Sequence, residues 1–174
     1  MEKRKSAINT NITLIGMPGV GKSTIGVIAA KILGLRFLDT DLLIQDQEDR
    51  LLSEIIEQEG IEGFLRIEEE VLLGVRTKRT IIATGGSAIY GEKAMAHLKE
   101  LGPVVYLKLS YKDLRRRLGN LKNRGVVLKE GQTLQNLYQE RTPLYEKYAD
   151  YTIDETDLHV EDTVSELTAF YAGL

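Results

Sequence analysis

The chain of 174 residues contains no cysteine. Thiol nucleophiles, disulfides and cysteine-ligated zinc are therefore all excluded. Histidine is scarce as well. His97 falls in an amphipathic helical pattern and His159 in a polar stretch, and surface positions are expected for both. No apolar run approaches the ~20 residues that a membrane-spanning helix needs. The amino terminus, MEKRKSAINTN, is basic like a leader, but only residues 12–15 form an apolar stretch before Gly16. A secretory core is longer than that, so a cytoplasmic protein without a membrane partner is expected. Positive charge is not in excess either: the net charge of −3 argues against a nucleic-acid partner, which asks for a basic face. Internal repeats, low-complexity tracts and flexible linkers are also missing. The length fits one domain, 1–174, able to bury about 70% of its unfolded surface without staples.

What is present is alternation. Short apolar runs at 12–15, 36–38, 80–83, 104–108 and 151–153 read as buried strands. Helical patterns fall at 22–33, 51–58, 63–77, 92–101, 111–118, 132–148 and 160–171. This order predicts an α/β protein with a parallel sheet, helices on both faces and right-handed crossovers. Residues 119–133 break the pattern, being basic, glycine-containing and without a clean period. Such a segment is either a mobile lid or an ordinary surface loop.

Residues 16–23 read Gly-Met-Pro-Gly-Val-Gly-Lys-Ser, a complete G-x-x-x-x-G-K-[ST] phosphate-binding pattern. Gly16, Gly19 and Gly21 let the backbone curl so that amide N–H groups, Val20 included, point at phosphate oxygens. Lys22 adds a positive charge for the β- and γ-phosphates, and the Ser23 hydroxyl, followed by Thr24, is placed to ligate Mg²⁺. The helix opening at Lys22 aims its positive end at the same anions. A strand before and a helix after are the context this motif requires. ATP as co-substrate and Mg²⁺ as cofactor follow. No N/T-K-x-D guanine motif is present, which argues against a GTPase. A longer chain with a strand ending in Asp-Glu would be expected of a helicase or an AAA protein.

Asp39 and Asp41 flank Thr40 just after the second strand, where open α/β sheets bind ligands. One carboxylate there can hold Mg²⁺, directly or through water, and a second can accept the proton of an attacking hydroxyl. The plainer alternative makes Asp41 only the N-cap of the next helix.

Several further segments share an order and spacing: GMPGVGKST (16–24), FLDTD (37–41), GFLRIEEEVL (63–72), ATGGS (83–87), a basic stretch around Arg124, and ERTPLYEKYAD (140–150). With these the chain resembles the shikimate kinase family over nearly its full length. The resemblance implies a three-layer P-loop kinase fold: a five-stranded parallel sheet between helices, a small substrate-binding region at about 40–79 and a lid at about 119–133. The implied reaction is ATP-dependent phosphorylation of a small hydroxy acid, shikimate giving shikimate 3-phosphate in aromatic amino-acid biosynthesis. Position by position, it implies that Asp39 helps Ser23 place Mg²⁺ and that Asp41 binds substrate hydroxyls and acts as base. It further implies that Gly85 and Gly86 admit the substrate to the backbone, with Ser87 beside them, and that Glu68 orients substrate or a neighbouring arginine. Arg141 would pair with the substrate carboxylate, a purely structural arginine being the alternative. Arg124 would close over the γ-phosphate and the substrate, and Arg117 would lie against adenine. Arg115 and Arg116 read as solvated charges. A monomer binding only ATP and a small molecule is expected, although oligomeric state leaves no signature here.

Three positions depart from the family pattern. Leu65 stands where an arginine is usual, and Arg66 follows one place later, turned away by about 100° on a helix. Ser87 replaces a third glycine, and Arg124 is followed by Gly125-Val126-Val127 in place of Pro-Leu-Leu. Leu65 and Ser87 motivate a second reading, an acceptor carrying carboxylate and ammonium such as homoserine. A nucleotide-sensing module without chemistry is a third.

Overall fold

Runs of apolar residues with no polar alternation form strands covered on both faces. β1 (Ile12–Ile15), β3 (Thr80–Ala83) and β4 (Val104–Lys108) are buried along almost their whole length. β2 (Arg36–Asp39) and β5 (Tyr151–Asp154) carry polar residues and lie at the edges. In the computed structural model, which describes residues 10–118 and 129–174, these strands pair in the order β2-β3-β1-β4-β5, all parallel.

The helices are α1 (Lys22–Leu33), α2 (Thr40–Glu48), α3 (Leu52–Gly74), α4 (Glu92–Leu101), α5 (Tyr111–Leu118), α6 (Leu134–Tyr148) and α7 (Val160–Ala172), with a 3₁₀ turn at Ala88–Tyr90. α1 packs on β1, β2, β3 and α7; α4 packs on β1, and α6 on β4. From β1 the chain moves outward to β2, returns through β3, then crosses to β4 on the other side. Neighbouring strands therefore diverge at β1, opening a crevice at the carboxyl ends of the strands. The segments after β1, β2 and β3 all end there. A second, smaller apolar cluster of Ile44, Ile55, Phe64 and Val71 joins α2 to α3.

Four local features differ from expectation. Residues 40–48 form a helix that periodicity does not reveal, because only Thr40 and Ile44 of α2 are buried. The two helices expected at 51–58 and 63–77 form the single element α3, broken at Gly60 (φ 71°, ψ 177°) and ending at Gly74. The N-cap of α2 is Asp39, not Asp41: its side chain accepts from the N–H groups of Asp41 and Leu42. α6 opens at Leu134 rather than at 132, because Thr133 caps it by accepting from the Asn136 N–H. Of the expected lid, residues 119–128, Arg124 among them, lie outside the described residues. His159 is exposed at the start of α7, as expected. His97 is half-buried and lies 2.9 Å from the Val75 carbonyl. No helix among the described residues is long and apolar enough to cross a membrane.

Candidate active site

The loop from Gly16 to Gly21 curls because its glycines take positive φ, 86° at Gly19 and 101° at Gly21. Gly21 is the left-handed N-cap of α1. Its conformation lets Lys22 turn back over the loop, where the ammonium donates to the carbonyls of Gly16 (2.7 Å) and Met17 (2.9 Å). An ammonium has three protons, so a further donor remains for an anion. Lys22 is only 8% exposed, and burial lowers its pKa to about 8 against the pull of Asp41 in the opposite direction. Ser23 and Thr24 are exposed at the first turn of α1.

Asp39 ties β2 to this loop. One carboxylate oxygen caps α2; the other accepts from the Ser23 hydroxyl at 2.6 Å. A hydroxyl and a carboxylate in contact are hard oxygen donors of the kind Mg²⁺ accepts alongside phosphates and water. No group of three or more acidic, histidine or cysteine side chains suited to a metal occurs among the described residues. The pair thus fits an ion whose remaining ligands come from a nucleotide. Asp41, the second residue of α2, is largely withdrawn from water. Burial raises its pKa above the ordinary aspartate value, Asp39 adds to the rise and Lys22 opposes it. A raised pKa makes Asp41 a better proton acceptor than a surface aspartate.

The turn after β3 sorts charge. A Cβ on Gly85 would lie 2.7 Å from Asp41 Oδ1 and 2.8 Å from Glu68 Oε1. Space, not backbone torsion, requires glycine there, and the two acids face the same small gap. A Cβ on Gly86 would lie 2.8 Å from Pro18 Cδ and 2.9 Å from an Arg141 guanidinium nitrogen. Gly86 thus joins the phosphate loop to α6. Ser87 turns the other way, donating to Glu68 Oε2 at 2.7 Å. Glu68, 2% exposed on α3, has its pKa raised to about 7, mainly by burial; the Ser87 hydrogen bond opposes that shift. Its other oxygen, Oε1, is buried without a hydrogen-bond partner among the described residues.

Arg141 is 3% exposed, yet none of the ion pairs among the described residues includes it. Its Nε donates to the Tyr90 hydroxyl at 3.3 Å, and its guanidinium lies 5.4 Å from the Tyr90 ring centroid. Tyr90 in turn hydrogen-bonds Glu140. One turn further along α6, the fully buried Tyr145 donates to the Gly86 carbonyl at 2.6 Å and stacks on Tyr106. Beside Arg141 opens a cavity of about 110 Å³, with Leu65, Ser87, Tyr90 and Leu137 in its wall. Leu65 thus presents an apolar side chain to the cavity, while Arg66 is exposed.

Arg117 reaches the back of the phosphate loop, donating to the Val20 carbonyl at 3.1 Å. It also approaches the buried Glu155 at 3.9 Å. Sequence reasoning missed Tyr90, Tyr145 and Glu155. Tyr145 had a visible signal, since it lies four residues after Arg141 on one helix face; Tyr90 and Glu155 had none. Of the residues expected at the site, those of the phosphate loop, Asp39, Asp41, Glu68, Gly85, Gly86, Ser87 and Arg141 meet in one crevice. Arg117 lies behind it, and Arg124 is outside the described residues.

This crevice holds a buried cation within a glycine-rich loop, a largely desolvated carboxylate and a buried guanidinium without an ion pair among the described residues. Phosphoryl transfer from a nucleotide to the hydroxyl of a small acid needs those parts. A family model described as shikimate kinase matches residues 18–172. A shikimate kinase of Thermodesulfovibrio yellowstonii is 36% identical over 167 residues, covering 94% of this chain and 96% of the relative. One from Caldanaerobacter subterraneus subsp. tengcongensis is 33% identical, covering 94% and 97%. The solved structure of the Acinetobacter baumannii shikimate kinase in complex with shikimate superimposes with a TM-score of 0.85 at 32% identity, covering 98% of this chain and 97% of the other.

Proposed function

This chain belongs to the shikimate kinase family, and we propose that it transfers the γ-phosphoryl group of ATP to a hydroxyl of shikimate, giving ADP, shikimate 3-phosphate and a proton. The observation that carries this reading is the convergence on Gly85 and Gly86. Pro18 of the phosphate loop and Arg141 reach one glycine, Asp41 and Glu68 the other. With its carboxylate at Arg141, the acceptor's hydroxyl would be held between Asp41 and the donor phosphate, and positioning of this kind supplies much of the rate in phosphoryl transfer.

In the proposed mechanism, Lys22 and the amides of Gly19, Val20, Gly21, Ser23 and Thr24 bind the β- and γ-phosphates, with Gly16 opening the loop. Arg117 supports the nucleotide side through its bond to the Val20 carbonyl. Ser23 and Asp39 would hold Mg²⁺, which supplies neutralisation of phosphate charge when bound. Asp41 accepts the proton of the attacking hydroxyl. Arg141 takes the acceptor's carboxylate, Gly85 and Gly86 allow its ring to approach the backbone, and Glu68 receives a further hydroxyl. The test is release of ADP by purified protein with a panel of acceptors: shikimate, other hydroxy acids, and amino acids such as homoserine. Selective turnover of shikimate is expected. Faster turnover of another acceptor, or ADP release that ignores the acceptor, would overturn the reading.

A further inference from the structure

We propose that a basic hollow at the amino ends of β2 and β3, across the sheet from the crevice, is a second ligand site, for a small molecule carrying two or more phosphate or carboxylate groups. It is separate from the crevice and does not depend on which acceptor the crevice takes.

The hollow has a volume of about 750 Å³, within the ~300–1,000 Å³ usual for small-molecule sites. Four cations stand in its wall. Arg36 is the first residue of β2, and Arg76, Lys78 and Arg79 lie in the segment that enters β3. No carboxylate lines it, nor does one line the adjoining hollow of about 330 Å³ that shares Arg36, Arg76 and Thr77. None of the ion pairs among the described residues includes any of the four. The chain as a whole is acidic, with a net charge of −3, so this gathering of one sign is local. A concave surface focuses such a field on whatever anion enters.

Cations beside helix C-termini can simply complement the helix dipole, and α1, α3 and α4 all end here. Part of the set does so. Arg76 donates to the carbonyls of Leu73 at 2.7 Å and Val75 at 2.8 Å, and Arg79 to that of Gly34 at 3.3 Å. A guanidinium has five N–H donors, so both keep donors to spare. The exposed side chains of Arg36 and Lys78 make no ion pair or hydrogen bond among the described residues, and dipole complementation leaves them unexplained. The frame that carries these cations is fixed. Buried Asn11 donates to the carbonyls of Thr77 (2.9 Å) and Leu101 (3.1 Å) and accepts from the Thr80 N–H at 3.0 Å. The Arg36 N–H donates to the Arg79 carbonyl at 2.7 Å. Arg79 itself holds φ at 55°, a left-handed torsion that an arginine adopts at a cost. Guanidinium forks on a fixed frame suit the paired oxygens of phosphates and carboxylates. A nucleic acid would instead ask for a broad basic face.

The experiment titrates isotope-labelled full chain with pyrophosphate and, separately, with citrate at fixed ionic strength, and follows amide resonances by NMR. Saturating shifts are expected at Gly34, Thr77 and Lys78, in wild type and equally in Lys22→Ala, which weakens anion binding at the phosphate loop. The Arg36→Gln, Lys78→Gln double variant should raise Kd at the hollow about tenfold, as loss of two exposed charge contacts does. Its melting temperature and its acceptor-dependent turnover should match wild type. Arg79→Gly removes a cation at a torsion that glycine accepts, and it should weaken binding in the same direction. Tighter binding of pyrophosphate would assign a phosphate ligand and tighter binding of citrate a carboxylate one, and either supports the site. The proposal fails if the shifts grow without saturating, as simple ionic screening gives. It fails if the double variant, with an unaltered melting temperature, keeps the wild-type Kd. Loss of the shifts in Lys22→Ala would also overturn it, by assigning the anion to the crevice.

Discussion

The nucleotide side and the acceptor side of the crevice are built on different plans. The phosphate loop is a local construction: eight consecutive residues, most of its donors on the backbone, with Lys22 held by the carbonyls of its own loop. The acceptor side is assembled from afar. Asp41 comes from α2, Glu68 from α3, Ser87 from the turn after β3 and Arg141 from α6, and each depends on side-chain packing for its direction. A backbone nest tolerates change around it because few partners must agree. A side-chain constellation fails or shifts specificity when one member moves. That contrast teaches where a kinase of this kind can diversify: Leu65 and Ser87, two residues that depart from the family pattern, both line the cavity beside Arg141.

Three substitutions or conditions would break or sharpen that contrast, in descending order of effect. Lys22→Ala should reduce kcat by about 10²–10³-fold, as loss of one preorganised charge stabiliser does. Acceptor binding, measured by calorimetry without turnover, should be retained. Loss of acceptor binding in this variant would show that the two sides are not separable. Next comes Gly85→Ala. Its methyl would meet Asp41 and Glu68 oxygens at 2.7 and 2.8 Å, displacing both, and a displacement on that scale costs about 10²-fold in kcat/KM for the acceptor. The KM for ATP should not change, and steady-state kinetics with each substrate varied would reveal a shared effect if there is one. The smallest effect belongs to Lys22 itself. Burial sets its pKa at about 8, so the group is about half protonated at pH 8, and phosphate anions raise its pKa again. Nucleotide binding at pH 8 should therefore take up about half a proton, read from calorimetry in buffers of different ionisation enthalpy. The uptake should vanish near pH 6, where the lysine is already charged; equal uptake at both would assign the proton elsewhere.

The same contrast explains what was legible in the residues alone. A strand, a glycine-rich loop and a helix in succession specify a phosphate nest without reference to the remainder of the chain, and that reading carries over into the structure. Asp39 shows the limit. Its proximity to Asp41 in the chain is visible, but the division of labour is tertiary: Asp39 both caps α2 and meets Ser23. Leu65 similarly reads only as a missing cation, whereas packing makes it a wall of the cavity beside Arg141.

By itself, the order of apolar runs and turn residues determined the parallel α/β architecture and the place of the phosphate loop, because strand burial and backbone curvature are dictated within short windows of chain. Only the tertiary structure decided which oxygen of Glu68 is held, which acids share the gap at Gly85, and that Arg141 forms no ion pair among the described residues. Those outcomes depend on side chains from α2, α3, α6 and the turn after β3 arriving at one point, and no local pattern records where distant helices put their side chains.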